Sequence, residues 1–282
     1  MTTIFKLFQQ ATMRLVYDGG LSNAGNMALT LLLSLFPFLL LTATLVGIFG
    51  EPKLIEQVLE LVFSHWPAGT AAPIANQVQV MLGQASGSIF SFSTLVAMVL
   101  ATNGLESARD SLNRAYKFTE SRSFILRRIQ GVFFIIVGAL GFILAGAILV
   151  GTPVVWKFLV ERLPWIAEFG VFVGFLQYGI AAALLIFTLF SFHYFLPDGD
   201  HQSGDLIWGI LITIIGIVVG SELFAIYLTS YANYAALYAG LAGIMTGIIY
   251  LYFLSVLILF GAEFNAALKE HKSQQIDGDP RR

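Results

Sequence analysis

The sequence predicts an all-α polytopic membrane protein, a helical bundle of about six transmembrane helices with short amphipathic helices at the membrane interface. Three observations carry this expectation. Of 282 residues, 57% are hydrophobic and only 11% charged, with a mean hydropathy of +0.80, whereas a soluble domain of this size carries about a quarter charged residues. The apolar residues gather into long runs, each near the ~20 residues needed to cross ~30 Å of hydrocarbon. Finally, Lys and Arg alternate between connections: threaded through six spans, twelve of the 15 fall on the side of the two termini and three on the other. That asymmetry closes only for an even number of spans and places both termini in the cytoplasm.

Residues 1-20 read as an interfacial helix, because Ile4, Phe8, Ala11 and Leu15 share one helical face while Lys6 and Arg14 lie elsewhere. The first span, about Ala24 to Phe49, follows an Asp18-Gly19-Gly20 turn and is full length, so it is read as retained and not as a cleaved leader. Pro37 at its middle removes one backbone hydrogen bond and predicts a kink, with Thr30 and Ser34 near enough to satisfy the freed carbonyl. Residues 51-86 hold Leu54, Ile55, Val58, Leu61 and Val62, a break at Pro67 and Pro73, then Ile74, Val78, Met81 and Leu82. This pattern predicts two short extracytoplasmic amphipathic helices that either rest on the bilayer or cap a cavity.

The second span, about Ile89 to Ala108, runs into a basic segment with Arg114, Lys117, Arg122, Arg127 and Arg128. The third, about Gly131 to Val150, carries a small-residue face of Gly138, Gly141 and Ala145 suited to close helix approach, and is expected to end at Thr152-Pro153. Trp156 and Trp165 mark an interface before the fourth span, about Val171 to Tyr194, which stops at the turn Phe195-Leu196-Pro197-Asp198-Gly199. The fifth, about Leu206 to Leu228, lines up Gly209, Thr213, Gly216 and Gly220 on one face and holds the isolated acid Glu222. Tyr227, Tyr231, Tyr234 and Tyr238 then precede the sixth span, about Leu241 to Phe264, which opens with Gly243 and Gly247. Residues 1-268 are read as a single six-span domain and 269-282 as a polar, frayed cytoplasmic tail.

The polar residues of the second span define the candidate site. Asn103, Glu106, Asp110 and Asn113 recur at helical spacing with Arg109 beside them, and ionisable groups at membrane depth pair, line water or handle a polar substrate. Threading places Asn26, His193, Asp205, Trp208, Glu263 and Asn265 in the same cytoplasmic half. A cytoplasm-facing polar cavity is expected, with ordinary helix-end polarity as the competing account. Arg109 is expected to pair with Glu106 or Glu263, and Glu222 to be a buried acid that is protonated, paired or reached by water.

Enzymatic chemistry finds little support. With no cysteine there is no disulfide, thiolate metal site or cysteine nucleophile. His193, Asp198, Asp200 and His201 are explained by the turn between them and lack metal-ligand spacing. No phosphate-binding loop or nucleophile elbow is present. No catalytic residue, metal or cofactor is therefore expected. The basic loop is accounted for by topology, so nucleic acid is not expected as a partner; the expected partners are membrane lipids, with a homo-oligomer or an envelope protein as further candidates.

Four segments, taken in order, resemble the YihY/BrkB family of bacterial inner-membrane proteins: Leu33-Ser34-Leu35-Phe36-Pro37, Leu112-Asn113-Arg114-Ala115-Tyr116, Tyr194-Phe195-Leu196-Pro197, and Gly261-Ala262-Glu263 with Asn265-Ala266. The resemblance implies a six-span helical fold in the inner membrane and covers nearly the whole chain; some members of the family carry a virulence-factor or ribonuclease BN label. Together with the polar cluster it leads to the expectation of a transporter-like envelope protein handling a lipid or other amphipathic or anionic molecule. A non-catalytic scaffold or partner-binding subunit is the alternative, and a membrane-associated ribonuclease the third, disfavoured one.

Overall fold

The computed structural model describes residues 2–49, 92–199, 203–230 and 242–277. The expected helix pair at 51-86 and Tyr231, Tyr234 and Tyr238 lie outside the described residues. Eight α-helices are labelled here: α1 (Thr2–Tyr17), α2 (Gly20–Phe49), α3 (Phe92–Tyr116), α4 (Phe124–Gly146), α5 (Thr152–Arg162), α6 (Gly170–Phe195), α7 (Ser203–Ser230) and α8 (Ala242–Asp277). Among the described residues there is no strand. Among the described residues, five segments are long and apolar enough to cross a membrane: Gly20–Leu39, Phe124–Leu149, Pro164–Phe195, Gly204–Tyr227 and Ile244–Gln274. The remaining expected span, α3, has 25 residues, enough to cover about 37 Å, but the stripe from Asn103 to Asn113 makes its second half polar.

By contacts the chain divides into two compact units, one of Met1–Leu33, Asn103–Arg127 and Leu189–Arg282, the other of Ser34–Thr102 and Arg128–Thr188. In the first, α7 and α8 meet along a seam of small residues. A methyl group at Gly209 would strike the Gly261 carbonyl and Asn265, one at Gly216 would come within 2.7 Å of Leu257, and one at Gly220 would overlap the Phe253 ring. Thr213 fits here because its hydroxyl is satisfied twice at close range, donating to the Gly209 carbonyl at 2.9 Å and reaching the Leu257 carbonyl of α8 at 3.2 Å. Gly247, on α8, only touches Leu32 at 4.0 Å, and Gly243 lies in the first turn of the same helix.

α1 packs on α8: its buried face is Leu7, Ala11 and Leu15, of which Leu7 and Ala11 cluster with Phe264 and Ala267. The expected face is thus rotated: Ile4 points out, while Phe8 lies half outside with its ring beside Phe260 and Phe264. The reason is spacing, since Leu7, Ala11 and Leu15 repeat every four residues and the small Ala11 permits close approach. Gly19, at φ +76°, makes the turn from α1 into α2 in a conformation that favours glycine. Residues 269–277 of the tail are helical and not frayed. α8 continues as helix to Asp277, held by Glu270, which bonds Arg14 and Lys117, and by Lys272, which bonds Asp205 at 2.6 Å.

In the second unit, the buried face of α4 is Gly131, Ile135, Ala139 and Gly146. The expected Gly138 and Gly141 lie off it: a methyl group at Gly138 would just touch Phe38 at 3.8 Å and one at Gly141 would meet nothing within 4 Å. Nor does Thr152-Pro153 end the helical path, which passes through a π-helical turn (Ala147–Gly151) into α5 with Pro153 in its first turn. Pro153 has no N–H for the carbonyl four residues earlier, that of Leu149, and Gln177 of α6 supplies the missing donor at 3.0 Å. Thr30 bonds the Asn26 and Met27 carbonyls one turn back in α2, while Pro37 leaves the Leu33 carbonyl without its helical donor.

Candidate functional site

All seven expected site residues belong to the first unit, but they separate into three environments. The first is a guanidinium cluster on α3. Arg109 is 1% exposed and pairs with Glu106 one turn earlier, not with Glu263. The second oxygen of Glu106 takes Arg127 of α4, so one half-buried carboxylate is shared by two arginines. Asn103 and Asp110 lie exposed on the same helix, and Asn26 of α2 donates to Ser107 at 3.3 Å.

In the second environment, Asn113 and Asn265 work as buried brackets between chain segments. Asn113 donates to Glu120 at 2.9 Å, and its amide oxygen accepts the Asp198 backbone N–H at 2.7 Å. Asn265 of α8 accepts the Gly209 N–H at 2.7 Å, which orients its amide, and its nitrogen then donates to the Leu206 carbonyl at 3.1 Å and to the Tyr116 hydroxyl at 3.3 Å. The Tyr116 hydroxyl that accepts from Asn265 also lies 2.8 Å from Nδ1 of the fully buried His193. The chain Asn265–Tyr116–His193 ties α8, α3 and α6 together.

Arg122 completes this region. It grips Glu120 with two bonds, at 2.7 and 2.9 Å, and donates to the Leu196 carbonyl at 2.6 Å, a cation on the last carbonyls of α6. Ser121 donates both backbone N–H and hydroxyl to Asp198, at 2.5 and 2.6 Å. Lys117, at φ 59°, closes α3 in the left-handed conformation while the Phe118 N–H returns to the Asn113 carbonyl at 2.8 Å.

Burial pushes the Glu120 carboxyl upward, but hydrogen bonds from Arg122 and Asn113 outweigh it and hold its pKa below the ordinary value. The Ser121 hydroxyl and N–H do the same for Asp198. Both folded values are depressed, so their stabilisation is complete above the unfolded values of about 3.9 and 4.3 and is lost as pH falls through the lower folded values. Thermal scans of the purified protein are expected to show Asp198→Asn melting lower than wild type at neutral pH, with the gap closing below about pH 4. A gap that persists unchanged into acid would show that Asp198 does not stabilise as an anion.

The third environment holds Glu263 alone. It is 4% exposed, its Oε2 has no hydrogen-bond partner, and its charged neighbours are Arg14, Asp18, Lys117 and Glu270. Glu222, expected as a buried acid, is instead exposed. It lies about 200° around α7 from Gly220 and therefore opposite the α8 seam. Trp208 is also largely exposed, and Asp205 is occupied by Lys272. Among the described residues no group of three His, Asp or Glu is placed to hold a metal ion.

Sequence reasoning did not single out Arg127, Tyr116, Glu120 or Arg122 for these roles. Arg127 was absorbed into the topological charge count, and Asp198 is distant in sequence from the Ser121 it anchors. Only the Glu120-Ser121-Arg122 triplet itself carried a local signal, an acid and an arginine two residues apart in a loop.

A Bacillus subtilis (strain 168) protein, YfkH, whose name describes it as ribonuclease-like, is 28% identical over 96% of this chain and 97% of its own length. A UPF0761 membrane protein of Alteromonas mediterranea is 24% identical over 88% of this chain and 82% of its own, and one of Vibrio parahaemolyticus 26% identical over 96% and 85%. No solved structure matches the chain. The family model described as Virulence factor BrkB matches residues 11–282, and with apolar helices of spanning length in the fold, the chain is a multi-pass helical membrane protein belonging to the BrkB family.

Proposed function

We propose that this protein is a transporter-like, non-enzymatic protein of the bacterial inner membrane, with both termini in the cytoplasm, that handles a lipid or another amphipathic anionic molecule. The observation that carries the reading is the sharing of Glu106 between Arg109 and Arg127 beside the exposed Asn103 and Asp110. With Asp110 counted, two guanidiniums meet two carboxylates, so what suits an anionic headgroup whose chains remain in the bilayer is the part-exposed Arg127 guanidinium beside Asn103 and not a net positive charge. The charge asymmetry of the connections supports the orientation. A nuclease reading, suggested by the name of YfkH, is not favoured, because Glu106, Glu120 and Asp198 are all engaged by arginines or Ser121 and the cluster offers no free acid–base pair.

The test is leaflet exchange of fluorescent phospholipids in liposomes holding the full chain. Exchange is expected to exceed that in empty liposomes for anionic lipids and to fall roughly tenfold or more in Arg127→Ala, since losing one charge-assisted hydrogen bond costs about 1.5–3 kcal/mol. Asn103→Ala, at an exposed position, is expected to lower exchange without lowering the melting temperature. Rates equal to empty liposomes for every lipid class would overturn lipid handling, and unchanged rates in both folded variants would overturn the site.

A further inference from the structure

Glu263 lies two residues before Asn265 on α8 but takes no part in that bracket. Its carboxyl is buried, with Oε2 lacking a protein partner. The groups facing it come from every element around it: Arg14 and Asp18 from the end of α1, Lys117 and the Tyr116 phenol from the end of α3, and Glu270 from two turns further along α8. Arg14 and Lys117 are both already bonded to Glu270. Two cations therefore face two other carboxylates, and an ionised Glu263 would be a third. A buried charge with no counter-charge left for it is strongly disfavoured, and a carboxyl relieves that cost by holding a proton.

We infer that Glu263 is a proton-binding site, protonated while Arg14 and Lys117 hold Glu270 and deprotonated when one of these cations turns to it. The reaction is a simple exchange: the carboxylic acid gives its proton to water, and the carboxylate left behind accepts a hydrogen bond. Arg14 Nη1, itself buried without a partner, is the donor assigned to it once Arg14 turns from Glu270. In the lipid-handling reading, on which this last step rests, that proton is the coupling ion, and a proton gradient acts on transport at α8.

Infrared spectroscopy of the full chain in lipid tests the site independently of transport. At neutral pH the wild-type protein is expected to show the carbonyl band of a protonated carboxyl, sensitive to deuterium exchange, lost in Glu263→Gln and lost from wild type as pH is raised. Glu270→Gln frees Arg14 and Lys117 and is expected to shift that loss downward by roughly one to three pH units, the usual effect of a close opposite charge; this variant serves also if Glu263→Gln fails to fold. Absence of the band in wild type, its persistence in Glu263→Gln, an unmoved midpoint in Glu270→Gln, or its appearance only when sodium is withdrawn would each overturn the proposal. A band that behaves as expected in a protein that exchanges no lipid would leave the proton site standing and remove the transport reading.

Discussion

Gly209→Ala and Gly261→Ala are expected to be the most damaging methyl additions in this protein, lowering its stability by about 3 kcal/mol, the upper part of the range for overpacking. At Gly209 the new methyl group runs into the Gly261 carbonyl, and at Gly261 it lies 2.7 Å from the Gly209 carbonyl while striking the Thr213 hydroxyl. Backbone cannot step aside as a flexible side chain can, so α7 and α8 must move apart. That separation also strains the bracket in which Asn265 accepts the Gly209 N–H. Gly174→Ala and Gly179→Ala are the controls, because a methyl group there meets nothing within 4 Å. They are expected to be neutral or to stabilise by up to about 1 kcal/mol through helix propensity. Gly216→Leu and Gly220→Leu fall between, since they displace the side chains of Leu257 and Phe253 instead of backbone. Melting temperatures in one detergent order the series, and equal losses at Gly209 and Gly174 would refute the close α7–α8 approach.

Glu106→Ala is expected to cost about 3 kcal/mol or more, and more than Arg109→Ala, which reverses the order that a simple ion pair would give. When Arg109 is removed, Glu106 keeps Arg127 and stays compensated. Removing Glu106 instead leaves the 1% exposed Arg109 without its ion-pair acid, with Glu120 as the remaining nearby carboxylate against Arg127 and Arg122. Deleting the stranded charge should then repair much of the damage, so Glu106→Ala combined with Arg109→Ala is expected to melt above Glu106→Ala alone. Chemical-denaturant or thermal unfolding of the four proteins completes the cycle. A larger loss for Arg109→Ala than for Glu106→Ala would show that Glu106 does not bridge the two arginines.

Composition and periodicity alone determined that this chain is a helical membrane protein, because the scarcity of charge over ~20-residue stretches is a one-dimensional property that hydrocarbon thickness reads directly. The same holds for the stop of α6 at the Leu196-Pro197-Asp198-Gly199 turn, which is set by local backbone chemistry. Periodicity also put Gly209, Thr213, Gly216 and Gly220 on one face of α7 and Asn103, Glu106, Asp110 and Asn113 on one face of α3. What it did not contain was the neighbour of each face. The tertiary structure decided that α8 fills the glycine seam, that Leu7 replaces Ile4 on the buried side of α1, and that Glu222 points away from α8. It also divided one polar stripe into Arg109 and Glu106 with Arg127, Asn113 with Glu120 and Asp198, and Asn103 and Asp110 left exposed. Glu263 went to Arg14, Asp18, Lys117 and Glu270 instead of Arg109. The physical reason is common to all of these: a helix fixes the angle at which a side chain leaves its own axis, whereas the charge or carbonyl that receives it arrives from a distant part of the chain and is placed only by packing.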